Sequence, residues 1–397
     1  MSQADGLYTS ILSRWPDCRE AHVARTYHLG YFNRIPQCAE AAREGLRFYP
    51  MEPMLLGRLI SSLCALGEWD EAASTAATVT PGILRALASD ESLIVAEVHL
   101  LRSEIAQADS SYRQTLVVEP DNFWAHLGLT RCLYARGDVA GAIEGQLSML
   151  RDPRWTDAEK QYLGMESYTF VVLPECYADA GRVADARAAV RRVSRESDLR
   201  LFLYAGLEQQ ASANLRELEE RAPQREGDAY GPGGPWGGIA LARTGEIRHS
   251  RELLSTLNQQ VAENLELPGG FRKRALELGA TIELADGAPN LALDYLHDLE
   301  TEGWFRGGSI DINIRELQAE AYAGTGDLNR AISILETMLL TYGGRTLGHY
   351  KLAGYYEKAG RPADARREYQ ECLRLWQHAD PDYPYPARAR QRLAVLG

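Results

Sequence analysis

The clearest pattern in the chain lies between Thr346 and Trp376, where apolar residues recur at i, i+3 and i+4 on either side of Gly360. Leu352, Ala353 and Tyr356 make one stripe; Ala365, Tyr369, Cys372 and Leu373 make the other. That period predicts two amphipathic helices joined at the glycine. Ala353 and Ala365 are small enough to let two backbones approach, while Tyr356 and Tyr369 fill the flanking space. One hairpin of this kind cannot bury its stripe alone, so neighbours built the same way are expected.

The pattern recurs through the chain. Ala4, Tyr8, Ile11, Leu12 and Pro16 read as the second helix of a repeat lacking its first, a cap or an edge open to assembly. Pro16 and Pro50 stand 34 residues apart and bracket the first full repeat. The next turns at Gly67 and carries Trp69 and Ala72. A third ends at Pro120 and has Ser103 where a turn glycine belongs, a register fixed by Gly137, 34 residues later. In the fourth, Gly137 supplies a left-handed helix end and Asp138 begins the next helix. The repeat around Tyr177, Gly181 and Ala186 has Pro174 in its first helix, where a missing backbone donor predicts a kink or break.

A degenerate repeat follows over 199–221, and then turns at Gly245, Gly287, Gly326 and Gly360, spaced 42, 39 and 34 residues apart. The extra length falls in glycine-containing loops at 267–272 and 302–309. Residues 225–238 are dense in both Gly and Pro and predict a linker or hinge between an N-terminal array, 1–224, and a C-terminal one, 239–397. The final stretch, 387–397, reads as an amphipathic capping helix.

In the template hairpin, His349, Leu352, Ala353, Tyr356, Gly360, Ala365, Tyr369, Cys372 and Leu373 fall in the order of the tetratricopeptide signature. The chain resembles that family over most of its length. The resemblance implies an all-α, right-handed superhelical solenoid, here of about ten helix-turn-helix repeats with an N-terminal half repeat and a C-terminal capping helix. From about Trp236 onward, and above all in LWQHADPDYPYPARARQRLAVL, the chain is similar to the C-terminal repeat arrays of large bacterial signalling proteins, some of them serine/threonine kinases. That implies a docking or sensory role.

Composition narrows the partners. A formal net charge of -12 among 397 residues argues against a general nucleic-acid binder, which needs a basic face. No basic leader precedes an apolar core, and no run of about 18 apolar residues suits a membrane span. A cytoplasmic protein is the expectation. The six cysteines show no C-x-x-C spacing, and Cys38 and Cys372 fall at small packing positions of the repeat, so reduced thiols are expected.

Motifs of catalysis are missing. There is no phosphate loop, H-E-x-x-H helix, EF-hand loop, nucleophile elbow, H-R-D or D-F-G. His22 and His349 occupy bulky packing positions of the repeat, and no metal or other cofactor is expected.

In a tetratricopeptide solenoid the first helices line the concave face, and register carried from the turns places Tyr27, Tyr31, Glu97, Trp124, Arg131, Tyr134, Glu175 and Asp179 there. In the later repeats it places Glu277, Glu316, Glu320, Tyr350 and Glu357. Aromatics mixed with carboxylates suggest a groove for a protein or peptide segment carrying basic residues. The family's clamp for a C-terminal carboxylate uses Lys, Asn and Arg, and the matching positions here are mostly acidic, aromatic or small. Solvated helix faces are the plainer explanation of the same charges. The function expected is a non-enzymatic interaction scaffold or adaptor, or alternatively a regulatory sensor whose superhelix changes shape on binding and so controls an effector on another chain.

Overall fold

The alternation of small and large apolar residues buries as the pattern requires. Ala353, Tyr356, Ala365, Tyr369 and Cys372 are all buried between helix Thr346–Lys358 and helix Pro362–Leu375. The structure, a computed structural model, describes residues 3–32, 34–79, 93–164, 172–190, 198–221, 234–263, 270–303 and 309–396. Among the described residues there are 23 α-helices and no strand. Twenty of them follow one another as ten helix-turn-helix units. The other three are Gln3–Arg14, Asp157–Gly164 and Tyr385–Leu396. This is the all-α repeat architecture expected from the sequence.

The turns explain the register. Gly67, Gly137, Gly181, Gly245, Gly287, Gly326 and Gly360 all have positive φ, and so does Gly206, which turns the degenerate repeat. Ser103 holds the same conformation at φ 61 without being a glycine. At the two Gly-Asp turns the aspartate caps the following helix, Asp138 accepting from the Gly141 amide at 2.8 Å and Asp327 from the Arg330 amide at 3.0 Å.

Two expectations need correction. Pro174 does not break a helix; it lies in the first turn of helix Leu173–Asp179, where no intrahelical donor is lost. Helix Gly234–Arg243 begins inside the stretch read as a linker, so residues 234–238 are helical. The rest of that stretch, 225–233, and residues 267–269 and 304–308 of the two loops lie outside the described residues, while 270–272 open helix Gly270–Ala285.

The chain forms two compact units. One comprises Met1–Leu129, Asn258–Leu276 and His297–Arg306; the other comprises Thr130–Leu257, Glu277–Leu296 and Gly307–Gly397. Both sides of the glycine-rich stretch therefore belong to the second unit. In the first, Ala39, Ala42, Leu59, Ile60, Leu63 and Ala72 centre the core.

The second unit has one continuous core in which its last repeat packs on repeats nearly two hundred residues earlier. Tyr134, Leu201, Leu347, Leu352, Trp376 and Tyr383 share it. The last repeat and the segment that follows it also bond to three earlier turns. Arg374 donates to the Gly137 carbonyl at 3.0 Å, the Asp380 amide to Gly181 at 2.9 Å and the Tyr385 hydroxyl to Gly206 at 2.9 Å. The Asp380 carboxylate then accepts from the Ala184 amide at 2.9 Å, capping helix Val183–Val190 from a distant part of the chain. Gly343 and Gly344 make the approach possible. A Cβ at Gly343 would stand 2.4 Å from the Ala135 carbonyl, and one at Gly344 would stand 2.6 Å from the Tyr134 ring.

The left-handed conformation costs an L-residue about 1–2 kcal/mol, part of which glycine gives back as chain entropy in the unfolded state. Ser103→Gly is therefore expected to raise stability by about 0.5–1 kcal/mol in urea denaturation, and Ser103→Val to lower it.

Candidate functional site

Arg345 is the residue immediately before helix Thr346–Lys358, and its guanidinium is 2% exposed. Nε and Nη2 donate to the two carboxylate oxygens of Glu316 at 2.7 and 3.3 Å, and Nη1 donates to Asp179 at 3.0 Å and to the Tyr204 carbonyl at 2.9 Å. The guanidinium also lies 4.0 Å from the centre of the Tyr204 ring. Asp179 accepts two further bonds, from the Tyr134 hydroxyl at 2.6 Å and the Tyr204 hydroxyl at 2.8 Å. Lys351 donates to Glu316 at 2.6 Å. Two carboxylates and two cations thus neutralise one another, with Arg345 and both acids buried and Lys351 at the edge.

The acids of this network titrate in opposite directions. Burial raises Glu316, but Arg345 and Lys351 overcome it and hold the carboxyl at about 2. At Asp179 burial prevails over Arg345 and the two tyrosine hydroxyls, and the carboxyl is raised.

Beside the network opens a cleft of about 470 Å³, within the range that holds small ligands or a few side chains of a partner. It is contained wholly in the second unit. Tyr204, Trp236, Tyr350, Tyr355 and Tyr385 supply its rings. Arg243 and Glu320 meet in it as a bidentate pair at 2.6 and 2.9 Å. Exposed Lys358 and Arg388 line it too, each with an aromatic ring beside it, Tyr355 at 5.7 Å and Tyr385 at 5.1 Å. Burial pushes the Tyr385 hydroxyl up to about 12, and burial with the nearby Glu320 and Glu316 raises Tyr355 as well, so both stay protonated donors near neutral pH.

The structure brings together four of the residues singled out in the sequence: Glu277, Glu316, Glu320 and Tyr350 all line the cleft. Tyr134 and Asp179 are buried in the network behind it, and Glu175 is buried against Arg200 at 3.4 Å. Arg131 is also buried. These four are therefore internal in this conformation rather than presented to a partner. Glu357 accepts from the Tyr369 hydroxyl at 2.6 Å and pairs with Arg392. In the first unit Glu97 accepts from the Tyr112 hydroxyl at 2.6 Å, and Trp124 is half-buried edge-on to Phe123. Tyr27 and Tyr31 are open, at 56% and 68% exposure.

Sequence reasoning missed Arg345, Arg243, Tyr204, Lys351, Tyr355, Lys358 and Arg388. One signal was present: the chain has four lysines, and two of them, Lys351 and Lys358, stand seven residues apart on one helix and line the cleft. Among the described residues no group of three or more His, Cys, Asp or Glu is placed to hold a metal. Glu316 is locked as a carboxylate and is a poor base. The arrangement is suited to binding.

Removing Arg345 leaves buried Asp179 without a charge partner and Glu316 with Lys351 alone. Arg345→Leu is expected to cost about 3–5 kcal/mol in denaturant unfolding, and Arg345→Lys less, since a point charge is retained without the fork. Glu316 sits lower in the folded chain than its ordinary 4.5. Its stabilisation is thus present above pH 4.5 and lost as pH falls toward 2, whereas Asp179, being raised, holds its proton more tightly when folded and adds nothing to acid unfolding. Glu316→Gln should be less stable at pH 7 and lose less stability over that window, as read by chemical denaturation at a series of pH values.

No protein-family model matches the sequence, and no curated protein matches it. Among solved structures, the crystal structure of a tetratricopeptide repeat protein from Parabacteroides merdae ATCC 43184 is similar at 12% identity and a TM-score of 0.35, covering 78% of this chain and 98% of that one. At that level the likeness says nothing of what the cleft holds, and the repeat architecture stands on the chain's own helix pairs and turns.

Proposed function

We propose that the chain is a non-enzymatic protein-interaction module that takes a segment of another protein into the cleft of its second unit. The observation that carries the reading is the convergence in one cleft of aromatic rings and incompletely bonded charges: Trp236 and Arg243 on helix Gly234–Arg243, Tyr350, Lys351, Tyr355 and Lys358 on helix Thr346–Lys358, and Tyr385 and Arg388 on the final helix Tyr385–Leu396. Rigid aromatics give contact area at low entropy cost, and the charges select among partners. A docking role in bacterial signalling, which the resemblance of the C-terminal region implies, is the setting that fits such a module, and a cytoplasmic location accords with it. Open Tyr27 and Tyr31 offer the first unit a contact of its own.

The sensor alternative draws support from one feature. Helix Thr346–Lys358 carries cleft residues along its length and follows directly on Arg345, so an occupant of the cleft bears on the element that ties the last repeat down.

Gly354 provides the test. It lines the cleft from within that helix, and a Cβ added there meets nothing within 4 Å. Gly354→Trp fills the cleft without touching the core, and removing a helix-interior glycine offsets any cost by up to about 1 kcal/mol. The variant should keep its helical circular dichroism and melting temperature and lose, by tenfold or more, the protein that the wild-type chain retains from its host. Equal retention by both chains would contradict a cleft-based module.

A further inference from the structure

We infer that the occupant of the cleft is acidic: a stretch of partner protein whose Asp or Glu side chains accept hydrogen bonds from a surplus of donors, with an apolar side chain against the rings. This rests on the protein-binding reading above and reverses the preference for basic ligands that the carboxylate-rich sequence suggested.

The bonds already made within the cleft decide which charge it can still accept. Both oxygens of Glu320 accept from Arg243, and both oxygens of Glu316 accept from Arg345, one of them from Lys351 as well. Their charge is met before any ligand arrives. The donors are not used up. A guanidinium has five N–H groups and an ammonium three; Arg243 gives two to Glu320, and Lys351 gives one to Glu316 while its side chain remains 34% exposed. Lys358 and Arg388 have aromatic rings beside them and no carboxylate partner among the described residues. The hydroxyls of Tyr350 and Tyr355 have no acceptor among the described residues either.

Two carboxylates remain on the lining. Glu277 is buried, at 3% exposure, and Glu208 stands near Tyr385. One half-exposed carboxylate against two open cations and several spare N–H and O–H groups leaves the cleft short of acceptors. A lysine or arginine brought in by a partner would find the paired carboxylates taken and meet Lys358 and Arg388 instead. A purely apolar segment would strip water from donors and return nothing. A carboxylate satisfies them, with charge-assisted bonds.

The test is to pan a random library of linear, unmodified peptides against the intact chain and to sort the selected peptides by whether Gly354→Trp abolishes their binding. The inference expects the cleft-dependent peptides to be enriched in Asp and Glu beside an aromatic or aliphatic residue. It also expects them to weaken with rising salt and to lose at least about tenfold in affinity against the exposed-site double variant Lys358→Glu/Arg388→Glu. Cleft-dependent peptides that are neutral or basic overturn the inference and leave the protein-binding reading standing. Selection of no cleft-dependent peptide overturns both.

Discussion

Arg345 keeps its charge almost entirely out of water, and the second unit is arranged so that it can. A buried guanidinium costs several kcal/mol unless its donors and its charge are both met. Here they are met by residues from three parts of the chain: Glu316 in the preceding repeat, Asp179 in one 166 residues away and the backbone of Tyr204. None of the three can move without stranding the others. The approach depends in turn on Gly343 and Gly344, where any side chain would collide with Ala135 and Tyr134.

From that tie follows the placement of the last repeat. With Arg345 fixed, Arg374, Asp380 and Tyr385 reach the carbonyls of the turns at Gly137, Gly181 and Gly206, so backbone groups that in an isolated repeat would face water are bonded by a distant one. The cleft follows as well. Its acids are engaged on one side by the network and on the other by Arg243, and what remains available to a ligand is mostly donors and rings.

The repeats were legible because each is a local device. Turn glycines, the Gly-Asp caps and the Ala-aromatic alternation act within about 34 residues, and register alone is enough to place Ser103, whose φ is 61, at a turn. The tie was not legible. Arg345, Tyr383 and Tyr385 lie outside the repeat pattern, and three of the groups they bond are the backbone carbonyls of Tyr204, Ala205 and Gly206, which leave no side-chain signature in a sequence. Carrying a generic concave face through every repeat set Tyr134, Glu175 and Asp179 before a partner, whereas the chain's own last repeats lie over two of them. The carboxylates of the cleft were visible in the sequence, but the cations engaging them were not, because Arg243 and Arg345 come from different repeats than Glu320 and Glu316. That is how an acid-rich reading arose for a site short of acceptors. Pro174 misled for a local reason: its effect depends on whether it falls in the first turn or the interior of its helix, a matter of one or two residues.

Amide hydrogen exchange on the wild-type chain and on Arg345→Leu tests the tie most directly. The account predicts that residues 177–186 and 376–386, far apart in sequence and joined through the Asp380 amide and carboxylate, are protected together in the wild type and lose protection together in the variant. Exchange in the two segments that is already unprotected in the wild type, or that responds independently to the loss of Arg345, would contradict it.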